Sequence, residues 1–220
     1  MKSPYLVVST GVTLLLALAM RPAIVAASPW AFLSPMPSAE VALQGPTPIN
    51  EVFEPSGTYD PKLFGKVAVL QWNPGVASIN LSPEQAERFK AGNRLAIEAY
   101  VRAAVAKGAE MVITSEFGVT GYPDIPELPD EQDNFRNRAD IKPLVEKVPG
   151  PTSEHFAKLA KELGVYIHVG FAEVDAETDR YYNTVLALDP QGNIVARYRK
   201  MHLYSRESEF LSEGTTPVTY

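Results

Sequence analysis

From Gly65 onward the chain is so regularly punctuated that few folds accept it: short, apolar, β-rich runs end at turn clusters, and helix-period stretches separate them. Lys66-Val67-Ala68-Val69-Leu70-Gln71-Trp72 reads as a first strand, closed by the turn cluster Asn73-Pro74-Gly75. Ser82 offers a hydroxyl cap, Pro83 a first helical residue and Gln85 an N3 amide. This capping box opens a helix expected to run to about Lys107 and to stop at Gly108. Met111-Val112-Ile113-Thr114-Ser115 follows as a second strand. Residues 122–151 are rich in Pro, Asp and Glu and predict a long surface loop with at most one short helix. A helix starts at Thr152-Ser153-Glu154, places Phe156, Leu159, Ala160 and Leu163 on one face, and stops at Gly164. Residues 165–173, 183–189 and 194–199 then read as three strands, joined by polar turns at 175–180 and at Pro190-Gln191-Gly192-Asn193. The order β, α, β, loop, α, β, β, β is mixed α/β, with helices able to cover one face of a sheet.

The segment before this domain has a different character. Lys2 precedes an uncharged stretch from Ser3 to Met20 that includes Leu14-Leu15-Leu16-Ala17-Leu18-Ala19-Met20, and Val25-Ala26-Ala27 places small residues before Ser28. Residues 1–27 therefore read as an export signal, with an uncleaved membrane anchor as the competing reading. Either places the body outside the cytoplasm, periplasmic or secreted. Residues 28–64 carry seven prolines without helix or strand period and read as a linker. Residues 65–220 form the domain, and Thr215-Thr216-Pro217-Val218-Thr219-Tyr220 has the look of a strand beginning.

Composition narrows the chemistry. With 45% hydrophobic and 21% charged residues the chain is globular. A net charge of -6 with pI near 5.2 gives no basic surface for nucleic acid. Without any cysteine there is no disulfide and no thiolate metal site. The three histidines, His155, His168 and His202, lack ligand spacing, so neither a zinc site nor any cofactor is expected. The acidic residues 124–133 lack the alternation and glycine of a calcium loop and read as solvated surface.

Two charged residues stand apart because they end strands, where α/β proteins usually build sites: Glu116 after residues 111–115 and Lys200 after residues 194–199. Their surroundings are Ser115-Glu116-Phe117-Gly118-Val119-Thr120-Gly121-Tyr122-Pro123 and Tyr198-Arg199-Lys200-Met201-His202-Leu203. These resemble the glutamate and lysine motifs of the nitrilase, or carbon-nitrogen hydrolase, superfamily, as do Tyr182-Asn183-Thr184, Asp189-Pro190-Gln191-Gly192 and Gly214 in order around them. The resemblance covers about residues 67–220. It implies an αββα four-layer sandwich, incomplete at its C-terminal side, and hydrolysis of a small amide or nitrile by a Glu-Lys-Cys triad. Glu116 would be the proton acceptor and Lys200 the stabiliser of developing negative charge. A second acid, Glu207 with Glu209 close behind, would position water and substrate. The nucleophilic cysteine is missing, and the strand-like stretch at 215–220 favours a fragment of a longer chain over a product that has lost the reaction. On residue chemistry alone, Tyr122 and Pro123 read as fixing the turn that aims Glu116 rather than contacting substrate, Asn183 as capping or tying strands together, and His202 as structural support rather than a pocket residue. Pairing of two copies through outer helices stays open. Two other readings remain beside the hydrolase: a non-catalytic extracellular binding protein, and a two-carboxylate hydrolase using Glu116 and Glu207, which needs the carboxyls about 5 to 10 Å apart across a cleft.

Overall fold

The structure is a computed structural model that describes residues 65–71, 74, 80–123 and 135–220, together with the backbone of 5–9. Apart from that backbone, the residues read as an export signal and as a linker lie outside the described residues, as does the acidic stretch 124–133. Among the described residues six strands form one sheet in chain order: β1 (Tyr5–Ser9), β2 (Val67–Gln71), β3 (Met111–Ile113), β4 (Tyr166–Val174), β5 (Tyr181–Leu188) and β6 (Ile194–Arg199). The first four run parallel and the last three antiparallel, so β4 belongs to both kinds of ladder. The strand at 5–9 is a difference from the sequence reading. Its Tyr-Leu-Val-Val-Ser composition suits an edge position beside β2.

Helix α1 (Pro83–Ala106) opens on the expected capping box: the Ser82 hydroxyl accepts from Gln85 N at 3.2 Å, and Ser82 N donates to the Gln85 side chain at 2.8 Å. A short α2 (Arg138–Ile141) interrupts the long loop. Helix α3 (Pro151–Leu163) begins one residue earlier than expected, because Pro151 takes the first helical position and Ser153 bonds back to Gly150. Gly164 ends it in the left-handed conformation, φ 67 and ψ 34.

Helices α1 and α3 cover one face of the sheet. Ile97, Val101, Phe156, Leu159 and Ala160 pack there on Ala68, Leu70, Val112, Ile167, Val169 and Leu186. On the opposite face Val69 and Tyr198 are open to solvent. A second apolar cluster gathers Phe89, Phe117, Phe135, Ile141, Tyr181, Phe210 and Leu211 at the end of the sheet reached by the C-termini of β3, β4 and β6. Residues 211–220 make no strand, which corrects the expectation for 215–220. Pro217 has no N–H to give a ladder, and the preceding stretch is instead fastened by Ser212 N to Tyr181 O and Gly214 N to Lys200 O, at 2.7 and 2.8 Å.

Candidate active site

Glu116 follows β3 in a tight turn rather than ending the strand itself. The turn reverses at once because Phe117 takes a left-handed φ of 47, a conformation that costs a non-glycine residue about 1 kcal/mol. Complete burial of its ring, in contact with Tyr122 at a centroid distance of 5.3 Å, holds it there. Gly121 N closes the turn on Phe117 O at 2.7 Å. The turn rests directly on β4 at Gly170. A Cβ there would stand 2.7 Å from Ser115 O and 3.3 Å from the Glu116 Cα, so only glycine lets the two backbones meet. Gly170→Ala is therefore expected to lower stability by about 1–3 kcal/mol, as overpacking does. The loss would be measured as a fall in the urea midpoint, and an unchanged midpoint would contradict this account of the turn.

Lys200 comes directly after β6. Its N–H donates to Asn183 O on β5 at 2.8 Å, and its ammonium reaches Glu116 Oε1 at 3.0 Å and Glu207 Oε2 at 2.8 Å. Glu207 lies in a single 3-10 turn (Ser205–Glu209) that carries it under Lys200, with 2% of its side chain exposed. The backbone N–H of Tyr204 also donates to Glu207 Oε2, at 2.7 Å. Glu209 is exposed and pairs with Arg206, so of the two acids left open by the sequence it is Glu207 that joins the cluster. His202 sits exposed in the turn that follows Lys200.

Two further side chains complete the arrangement. Asn183 Nδ2 donates to Glu116 Oε1 at 2.6 Å and reaches Glu207 Oε1 at 3.4 Å, while Tyr122 OH donates to Glu116 Oε2 at 2.9 Å. The sequence reading gave Asn183 only a strand-tying role and Tyr122 a turn-fixing one. Asn183 does meet Lys200 through the backbone, but its amide also bridges both acids. Strand alternation could have indicated this only once the β5–β6 register was known, because the register alone puts Asn183 beside Lys200. The bridge also corrects the two-carboxylate reading: one ammonium and one amide occupy the space between Glu116 and Glu207, where a sugar would have to enter.

Electrostatics follow from these contacts. Partial burial alone would raise the Glu116 carboxyl, but hydrogen bonds from Lys200 and Tyr122 outweigh it and hold the group below the ordinary range. Burial likewise works against the Lys200 ammonium, yet Glu207 and Glu116 keep it above the usual lysine value. Burial first, then the charge of Glu116, pushes the Tyr122 phenol well up, so it stays a neutral donor. At neutral pH the cluster thus holds the Glu116 carboxylate against the Lys200 ammonium, which also touches the buried Glu207 side chain, an arrangement able to accept a proton and to face a developing negative charge. Among the described residues no group of three or more His, Asp or Glu is placed to hold a metal ion.

Known proteins resemble this chain in sequence. A nitrilase of Pyrococcus abyssi (strain GE5 / Orsay) is 32% identical over 150 residues, covering 68% of this chain and 48% of its own length. The protein N-terminal amidase of Saccharomyces cerevisiae is 27% identical over 143 residues, covering 64% of this chain and 27% of its own. A solved N-terminal amidase carrying an Asn-Glu-Ala peptide is 27% identical with a TM-score of 0.48, over 67% of this chain and 31% of that one. The chain spans half or less of the length of these relatives. The sequence pattern described as carbon-nitrogen hydrolase matches residues 66–220, from just before β2 to beyond the turn that carries Glu207, and the chain belongs to that family.

Proposed function

We propose that this chain is the glutamate- and lysine-bearing part of an exported hydrolase that cleaves a non-peptide carbon-nitrogen bond in a small amide or nitrile, with a cysteine from outside these 220 residues as nucleophile. The observation that carries the reading is the Lys200 ammonium set between Glu116 and Glu207 at 3.0 and 2.8 Å, in a chain that has no cysteine and spans half or less of the length of its relatives. Amide and nitrile carbons resist water, so the reaction needs a strong nucleophile, a proton shuttle and a cation where negative charge develops. Glu116 takes the thiol proton, and the thiolate adds to the substrate carbon. Lys200 faces the resulting negative oxygen, or nitrogen for a nitrile. For an amide, Glu116 returns the proton to the leaving ammonia as a thioester forms, then accepts one from water as the thioester is hydrolysed. Glu207 holds Lys200 in place and orients that water. A second sheet lying on the open face, where Val69 and Tyr198 are exposed, would complete an αββα sandwich. The uncharged run behind Lys2 supports export.

The test is to express the whole reading frame that contains these residues and to measure ammonia release from small aliphatic amides and nitriles. Release that disappears on blocking the thiol supports the proposal. A reading frame without cysteine, or an intact thiol with no release from any such substrate, would favour a non-catalytic binding protein.

A further inference from the structure

The sheet carries a second charged cluster on the face opposite Lys200. Glu173 on β4 is completely buried, yet five donors converge on it. Thr184 Oγ1 and Arg197 Nε reach Oε2 at 2.8 and 2.9 Å, Arg199 Nε reaches Oε1 at 3.1 Å, and Nη2 of each arginine is closer still to Oε1. Arg199 is held from two more sides, by Asp175 Oδ2 at 2.7 Å and by the Tyr182 ring, 3.8 Å from guanidinium carbon to centroid.

The place of this cluster in the strands gives it meaning. Thr184 and Arg199 are direct partners across β5 and β6, and each is one peptide bond from a residue of the site, Asn183 and Lys200. Successive side chains of a strand point to opposite faces. The cluster therefore grips from behind the pair of positions whose neighbours face Glu116. A slip of one residue in this register would turn Lys200 toward the helices and break its contacts with both acids. Buried ion clusters rarely stabilise a fold better than apolar packing would, and fixing register is the best-attested use of a buried polar group.

We propose that Glu173 is a positioning residue for Lys200, acting through Arg199 and Thr184 to hold the β5–β6 register that sets the ammonium between Glu116 and Glu207. The proposal rests on the reading of Lys200 as the site lysine, and the experiment separates the two.

Lysine acetylation by a water-soluble N-hydroxysuccinimide ester, followed residue by residue with mass spectrometry from pH 7 to 11, reports each ammonium in the folded protein expressed from the whole reading frame. The proteins compared are wild type, Glu173→Gln, Glu173→Asp and Glu146→Gln. The last removes a different buried carboxylate, which holds Lys90 at 3.1 Å and Arg94 at 3.1 Å beneath α1. In wild type, Lys200 is expected to react later in pH than the exposed Lys142 and Lys158. Glu173→Gln is expected to raise the Lys200 rate at pH 8 about tenfold, the equivalent of one pKa unit, and Glu173→Asp to raise it by a smaller factor. Glu146→Gln should leave the Lys200 profile where it was while exposing Lys90. If Glu173→Gln does not fold, Glu173→Asp decides alone. A Lys200 profile that stays at its wild-type position in the Glu173 variants overturns the positioning role and leaves the site reading intact. A wild-type Lys200 that reacts like Lys142 overturns both.

Discussion

Lys200→Ala is expected to lower the unfolding free energy by about 3 kcal/mol, the lower end of what removing one member of a buried ion pair costs. The lower end applies because the lysine side chain is 24% exposed while Glu207 is 2% exposed. What the substitution leaves behind decides the size. Glu207 would keep only Tyr204 N–H at 2.7 Å and a long contact from Asn183 at 3.4 Å, with no cation beside a carboxylate that water barely reaches. Adding Glu207→Gln to Lys200→Ala should therefore recover part of the loss, and the double-mutant cycle isolates the pair. The sign with pH is fixed by the raised lysine: its contribution is complete below the unfolded value of about 10.4 and fades as pH rises through the folded one. Urea unfolding of the four proteins at pH 7 and above pH 10 checks both statements. A loss below about 1 kcal/mol at pH 7 would class the contact as an ordinary surface pair.

The fold was legible wherever a local signal coincided with a tertiary one. Ser82, Pro83 and Gln85 specify the start of α1 through groups within one turn of each other, and Gly164 specifies the end of α3 through its own backbone freedom. Glu116 and Lys200 were legible from their motif resemblance and from a related local signal: each follows a strand-like run, and strand ends are where such sheets place their polar groups. What stayed hidden depends on pairing between distant segments. Nothing local marks Glu173 as the centre of a buried charge cluster, or Lys90 and Arg94 as buried beneath Glu146, since a charged residue on a helix is ordinarily solvated. The contacts of Asn183 and Tyr122 with Glu116 are hidden for the same cause. Their partner Glu116 lies 67 and 6 residues away in sequence, and only the folded turn brings all three together. The choice between Glu207 and Glu209 likewise needed the 3-10 turn, which sends the first inward and the second out to Arg206.

Glu116→Gln is expected to lower turnover of a small amide by about 10²–10⁴-fold in a chain that also carries the proposed cysteine, the range general-base catalysis supplies. The amide is nearly isosteric and can still hydrogen-bond, so the variant removes the proton acceptor while keeping the turn at Phe117. Because the Glu116 side chain is 49% exposed, the stability change should stay below about 1 kcal/mol. That contrast between a large kinetic loss and a small thermodynamic one distinguishes a proton acceptor from a structural acid such as Glu173. The pH dependence gives a second, independent sign. Lys200 and Tyr122 hold the carboxyl below its ordinary range, so its ion-pair contribution is present above the unfolded value of about 4.3 and is lost as pH falls through the folded one. Wild type and Glu116→Gln should therefore converge in urea midpoint as pH drops below about 4. The wild-type rate, in turn, should hold on the acid side to lower pH than an unpaired glutamate would allow. Turnover that survives the substitution within tenfold would remove Glu116 from the chemistry and leave its contacts with Lys200, Asn183 and Tyr122 as scaffolding.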